Sequence, residues 1–173
     1  MNTQLQIRAM EKDDVTTIFE VFKAHRINKP VEYLQQCWEE NVAGVRFTLL
    51  AFYENQFAGS LHLIATSHYP SFVEQGIPEI NDFNVIPTLR QHKIGTALMD
   101  AIEQVAFEKY EAVGIGVGMT PSYGPAQRLY AKRGYIPDGK GLIDVDQPVE
   151  LGSTVTISHD LALYMTKERG NRG

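Results

Sequence analysis

The chain has a single cysteine, Cys37, among its 173 residues. No intramolecular disulfide can form, so the fold rests on a packed core. No apolar run approaches the roughly 18 residues of a membrane span. The opening M-N-T-Q-L-Q-I-R also lacks the charged-then-apolar pattern of an export leader. Neither membrane insertion nor secretion is expected, and a cytoplasmic location is the default. Positive charge is not in excess either. Sixteen basic residues stand against 21 acidic ones, a net charge of −5. That argues against a broad nucleic-acid surface and leaves at most a local basic patch at Arg90 to Lys93. There is no internal repeat, low-complexity segment or linker. What remains, with 43 % hydrophobic and 21 % charged residues, predicts one globular domain with one site.

The chemistry-bearing residues concentrate between Val85 and Leu98, V-I-P-T-L-R-Q-H-K-I-G-T-A-L. An apolar strand end leads into a loop carrying Arg90, Gln91, His92 and Lys93, then into a helix start around Gly95. A helix N-terminus offers backbone N–H groups that no helix carbonyl can reach, together with a partial positive charge. With two cations beside it, this one suits a phosphate. An ordinary basic surface loop would read the same way. The helix is marked by Leu98, Ile102, Val105 and Ala106 on one face, with Asp100, Glu103, Gln104 and Glu108 mostly elsewhere.

Strands and helices alternate around this stretch. The pattern predicts a strand over Leu5 to Ala9, a helix capped by Asp13 or Asp14 running to about His25, and a helix from Val31 to about Asn41. Phe47 to Tyr53 and Phe57 to Ala65 read as a hairpin. Thr66 to Pro78 has no periodicity and reads as a loop, followed by a strand from Glu79 to Ile86. Val113 to Met119 is a strand, and Pro125 to Arg133 a short helix started by proline and stopped by Gly134. A last strand spans about Val155 to Met165. Hairpins mixed with helical crossovers imply an α/β fold with a mixed sheet.

Three constellations add detail. In Val113 to Met119 the glycines Gly114, Gly116 and Gly118 leave one face bare, which serves either a packing helix or a ligand arm. No third glycine completes a dinucleotide fingerprint there. Tyr130 in the short helix is either a packing residue or a proton donor. Glu79 shares a strand face with Asn81, Phe83 and Val85, and is either a surface carboxylate or an acceptor of an amine proton. Asp82, on the opposite face, serves as a comparison residue. Cys37, at helical spacing with Leu34 and Trp38, reads as a buried structural thiol.

The run V-I-P-T-L-R-Q-H-K-I-G-T-A-L resembles the acyl-CoA-binding signature of the GNAT N-acetyltransferases, R/Q-x-x-G-x-G/A after a strand ending V-x-P. Arg90 takes the first position and Gly95 the second glycine. Lys93 replaces the first glycine, giving up backbone freedom and adding a cation. Leu129-Tyr130-Ala131-Lys132-Arg133-Gly134-Tyr135 is similar to the family's L-Y-x-x-x-G-F/Y segment, and Leu161 to Lys167 to its closing strand. Tyr123 stands where many members carry asparagine.

The resemblance implies a single-domain mixed sheet over residues 1–167, with helices on both faces, a splayed central strand pair and a short tail at 168–173. It implies acetyl-CoA as co-substrate and no metal. The pyrophosphate would lie on the N–H groups of Gln91, His92, Lys93, Ile94, Gly95 and Thr96 beside Arg90, and the pantetheine arm along Phe83, Asn84 and Val85. In that reading the arm passes the bare glycine face. A primary amine attacks the thioester, Val85 N–H steadies the oxyanion, Glu79 or a water it orders takes the amine proton, and Tyr130 protonates the departing thiolate.

The acceptor would be a small-molecule or peptide amine, bound among His25 to Tyr33, Thr66 to Pro78 and Pro137 to Gly152. Four acids against one lysine in the last segment favour a cationic acceptor. No nucleic-acid or membrane partner is expected, and a homodimer is compatible with the resemblance. Two other readings stay open: a CoA-binding sensor or regulator without turnover, and a loop that holds a nucleotide or another phosphate.

Overall fold

The structure, a computed structural model, describes residues 4–170. The outermost residues of the expected 1–167 domain and 168–173 tail therefore lie outside the described residues. Among those described, the elements are β1 (Leu5–Ala9), α1 (Asp14–Ala24), α2 (Val31–Ala43), β2 (Arg46–Tyr53), β3 (Gln56–Ile64), α3 (Pro70–Gln75) and β4 (Glu79–Val85). They continue with α4 (Ile94–Lys109), β5 (Ala112–Gly118), α5 (Gly124–Lys132), β6 (Ile136–Asp144), β7 (Gln147–Pro148) and β8 (Leu161–Glu168). The strands are hydrogen-bonded in the order β1-β2-β3-β4-β5-β8-β6-β7. The β4–β5 ladder is parallel and holds only Glu79↔Gly114 and Ile80↔Ile115, whereas β5–β8 is antiparallel. This is the α/β mixed sheet expected from the sequence.

The chain forms two compact units. Among the described residues, one takes residues 4–65 together with Asn81–Val105, and the other takes Thr66–Ile80 and residues 106–170. In the first, Ile18 and Phe22 of α1, Leu34 of α2, Leu50 and Phe57 of β2 and β3, and Ile86 form a buried cluster. The Phe22 and Phe57 rings meet edge to face at 5.4 Å. Asp14, not Asp13, secures the start of α1: its carboxylate accepts the Glu11 N–H at 2.7 Å and a two-pronged bond from Arg8. The β2–β3 hairpin turns at Glu54 and Asn55, with φ of 49° and 64°, the doubly left-handed turn that matches strand twist.

In the second unit Tyr69, Phe72, Ile77, Ile143, Ala162 and Tyr164 form the core. Two sequence expectations change here, and one segment takes on structure that the sequence does not show. The aperiodic stretch Thr66 to Pro78 contains α3, a helix too short to show a period, begun by Pro70 and ended by left-handed Gly76. The Pro137 to Gly152 segment is largely strand. β6 is mostly exposed and interrupted by left-handed Gly139 and Gly141, so it has no alternating pattern, and its pairing with β8 defines it. The last strand starts at Leu161 and reaches Glu168, one residue into the expected tail.

Candidate active site

In the first unit a 3-10 turn over Pro87–Leu89 leads to Arg90 and then to α4. Gln91 and Lys93 are both left-handed, with φ of 78° and 59°. Two such residues on either side of His92 turn the chain sharply into the helix, which explains why a glycine suits the position Lys93 occupies. Arg90, Gln91, His92, Lys93 and Thr96 are exposed, while Ile94 is buried in the core. Ile94 therefore has only its backbone to offer a ligand. His92 lies on the Tyr53 ring, centroids 4.5 Å apart. The Cα of Gly95 faces Phe83 and Val85: an added Cβ would stand 3.1 Å from the Phe83 ring. Exposed cations, first-turn N–H groups and a small residue at the second helical position fit a pyrophosphate. On α4 itself Glu103 is buried, contrary to its expected placement off the apolar face.

Close by in the chain is a group that the sequence offers only as a comparison residue for Glu79. Asp82 has φ of 47° within β4 and so interrupts the two-residue alternation assumed for that strand. Its carboxylate, with the side chain 15 % exposed, is ion-paired with Lys29 and accepts the Tyr33 hydroxyl at 2.8 Å and the Asn84 amide at 2.9 Å. His62 Nε2 lies 3.4 Å away. Behind it, Asn41 Nδ2 donates to Thr48 Oγ1 at 2.7 Å, and Thr48 Oγ1 stands 2.7 Å from His62 Nδ1. With the Thr48 hydrogen directed to Nδ1, the ring proton is assigned to Nε2 and faces Asp82. Burial lowers the pKa of His62, so the ring is neutral near pH 7. Burial alone would raise the Asp82 pKa, but the hydrogen bond to His62 and the Lys29 ammonium hold it well below the carboxylate range. We assign the larger share to Lys29, because a neutral His62 supplies a dipole and no full charge. Sequence periodicity carries no sign of this network, whose members come from α2, β2, β3, β4 and the α1–α2 connection.

The second unit holds the two expected catalytic groups. Glu79 is 8 % exposed, and its carboxylate accepts the Ser67 hydroxyl. Burial raises its pKa, Asp146 adds to that, and Ser67 and His68 oppose it. It is therefore not a surface carboxylate. Tyr69 and Tyr164 stack at 4.0 Å, with the Tyr69 hydroxyl on Asp138 at 2.8 Å. Tyr130 is 4 % exposed, and burial, with Tyr123 adding to it, pushes its phenol above the usual range. A phenol so placed stays protonated, as a proton donor requires.

The bare glycine face of β5 is filled by side chains of the protein. A Cβ on Gly114 would meet the Phe72 ring at 2.1 Å, one on Gly116 the Tyr164 ring at 3.1 Å, and one on Gly118 the Tyr123 ring at 2.3 Å. The face that the sequence offers to a packing helix or a ligand arm is thus covered by aromatic rings, for which the glycines make room. Tyr123, at the position of the family's asparagine, supplies one of these rings, and Gln127 donates to Gly118 O at 2.8 Å.

A model of the acetyltransferase (GNAT) family matches residues 12–135. The chain belongs to the GNAT acetyltransferase family. The match takes in the donor loop, Asp82, Glu79 and Tyr130 of this acetyltransferase. No curated protein matches it. Among solved structures, an N-acetyltransferase from Staphylococcus aureus Mu50 has a TM-score of 0.70 at 14 % identity, covering 95 % of this chain and 98 % of that one. The ribosomal-protein-alanine N-acetyltransferase of Brucella melitensis gives 0.70 at 17 %, over 94 % and 99 %. The PaiA N-acetyltransferase of Thermoplasma acidophilum, solved with coenzyme A, gives 0.65 at 15 %, over 95 % and 98 %. At these identities the likeness is one of fold. The family makes the protein an acyltransferase.

Proposed function

We propose that this acetyltransferase moves an acetyl group from acetyl-CoA to a primary amine by direct attack of the amine on the thioester. The observation that carries the reading is the turn into α4, where left-handed Gln91 and Lys93 expose two cations and the first-turn N–H groups together. The coenzyme A complex of the Thermoplasma relative supports the same ligand for this chain. Arg90, Gln91, His92, Lys93, Gly95 and Thr96 would receive the pyrophosphate, with Ile94 giving its N–H alone. Phe83, Asn84 and Val85 would line the arm, and Val85 N–H would steady the oxyanion. Glu79, whose raised pKa brings its basicity nearer neutrality, takes the amine proton directly or through water. Tyr130 returns a proton to the departing thiolate.

The acceptor is an amine of a small molecule, peptide or protein, as the ribosomal-protein acetyltransferases among the structural relatives suggest. The acids of the 137–152 segment favour one that carries further positive charge. Two of them, Asp144 and Glu150, line a cavity of about 380 Å³ in the second unit.

Thermal shift with acetyl-CoA, CoA, ATP and NAD tests the ligand, since a compound at 100 times its dissociation constant adds about 2.7 kcal/mol to the folded state. Stabilisation by ATP or NAD without CoA would overturn the placement. Thiol release with a panel of peptides, polyamines and amino sugars tests turnover; CoA binding with no release from any amine would favour a sensor.

Lys93 gives a sharper test. Lys93→Ala is expected to weaken CoA by about 1 to 2 kcal/mol, through loss of a charge-assisted contact. Lys93→Gly should lose the same affinity yet raise the melting temperature, because glycine adopts a φ of 59° without the steric cost. Calorimetry showing parental CoA affinity in both variants would place the ammonium in solvent.

A further inference from the structure

We infer that Ser67 is a positioning residue for Glu79, holding one oxygen of that carboxyl and keeping it available as a base near neutral pH. The inference rests on the reading of Glu79 as the proton acceptor. Ser67 lies in the stretch that showed no pattern in the sequence, and it is buried. Its hydroxyl donates to Glu79 Oε2. Its oxygen accepts the backbone N–H of Tyr69 at 3.0 Å. That second bond occupies a lone pair of Oγ and leaves the hydroxyl hydrogen directed at the carboxylate, so Ser67 acts as a donor of fixed orientation.

Tyr69 is in turn fixed by its own surroundings. It is the residue preceding α3, its ring stacks on Tyr164, and its hydroxyl is bonded to Asp138. Phe72 of α3 fills the space over Gly114, the β5 residue in register with Glu79. The relay Tyr69 N–H to Ser67 Oγ–H to Glu79 is therefore anchored at both ends within one unit.

The groups that act on the Glu79 carboxyl fall into two sets. Burial and Asp146, from the β6–β7 turn, favour its protonated form, and Tyr164 of β8 also couples to it. Ser67 and His68 favour the carboxylate. A hydrogen bond donated to a carboxylate stabilises the charged form selectively, so removing it should leave burial and Asp146 unopposed except by His68.

The test uses Ser67→Ala, Ser67→Thr and Glu79→Gln in the full chain, read by the pH profile of kcat/KM and by NMR titration of the Glu79 side-chain carboxyl. In Ser67→Ala both the acid limb and the Glu79 midpoint should move up by about one pH unit. That is a loss approaching ~10-fold at pH values well below the limb and none well above it. Ser67→Thr keeps the hydroxyl and should restore the parental limb. An unmoved Glu79 midpoint in Ser67→Ala overturns the inference, as does an equal loss at every pH, which would report a structural role. Should Glu79→Gln leave the acid limb where it was, the base assignment itself falls, and the positioning role with it. The midpoint measured by NMR tells these two failures apart.

Discussion

Asp82→Asn is expected to cost the protein about 3 kcal/mol of stability, the lower end of the range for removing one partner of a buried pair, because Lys29 is a quarter exposed. Asparagine tolerates the left-handed backbone at position 82 as well as aspartate does, so the loss reports charge and not strain. It leaves the Lys29 ammonium without its counter-ion, and in place of the carboxylate oxygens facing Tyr33 and His62 it must offer one oxygen and one amide. Urea unfolding checks this: the midpoint should fall with the slope unchanged. Lys29→Met should recover part of the loss in the Asp82→Asn background, and strict additivity of the two would show that the pair is not coupled.

The same network fixes the pH dependence. Asp82 has a folded pKa below its unfolded value, so its contribution is complete above about pH 4 and is lost as the pH falls further. His62 is also depressed, and its contribution is present above about pH 6.5 and lost on acidification. The parent protein should weaken in two stages below neutrality, and Asp82→Asn should lack the lower one.

Tyr130→Phe is expected to lower kcat by about 10²-fold or more while leaving acetyl-CoA affinity nearly unchanged, since the hydroxyl acts chiefly in the transition state. The ring stays in place beside Tyr135, with centroids 5.9 Å apart, so folding should be little affected. Near-parental kcat with a reactive amine would remove Tyr130 from the mechanism and leave it a packing residue.

The sequence revealed those parts of the fold in which one residue's neighbours along the chain determine its environment. Ile18 and Phe22 on α1, Leu34 and Cys37 on α2, and the strands around Glu54 and Asn55 show their period or turn chemistry directly. Cys37 is buried as expected. Elements defined by distant partners were hidden. β6 is a strand because β8 lies beside it, and α3 holds its place through Phe72 over Gly114. The site divides the same way. Arg90 to Thr96 and Tyr130 stood out as motifs, and Glu79 as a carboxylate at a strand start. Ser67, Lys29, His62 and Asp82 acquire their roles from contacts between residues 12 to 53 positions apart, which no local pattern encodes. The glycines of β5 were legible as a bare face, but not the aromatic rings that cover it.

The sheet order ends at β7, only two residues long, and one of them is Pro148. Proline brings no N–H, and a two-residue strand offers almost no ladder for a foreign chain to copy. The end of the sheet at β7 is therefore closed to strand-by-strand growth. Partially unfolded molecules gain little template for fibril-like stacking from it, and a second copy of the protein would find few ladder bonds by continuing the sheet across it.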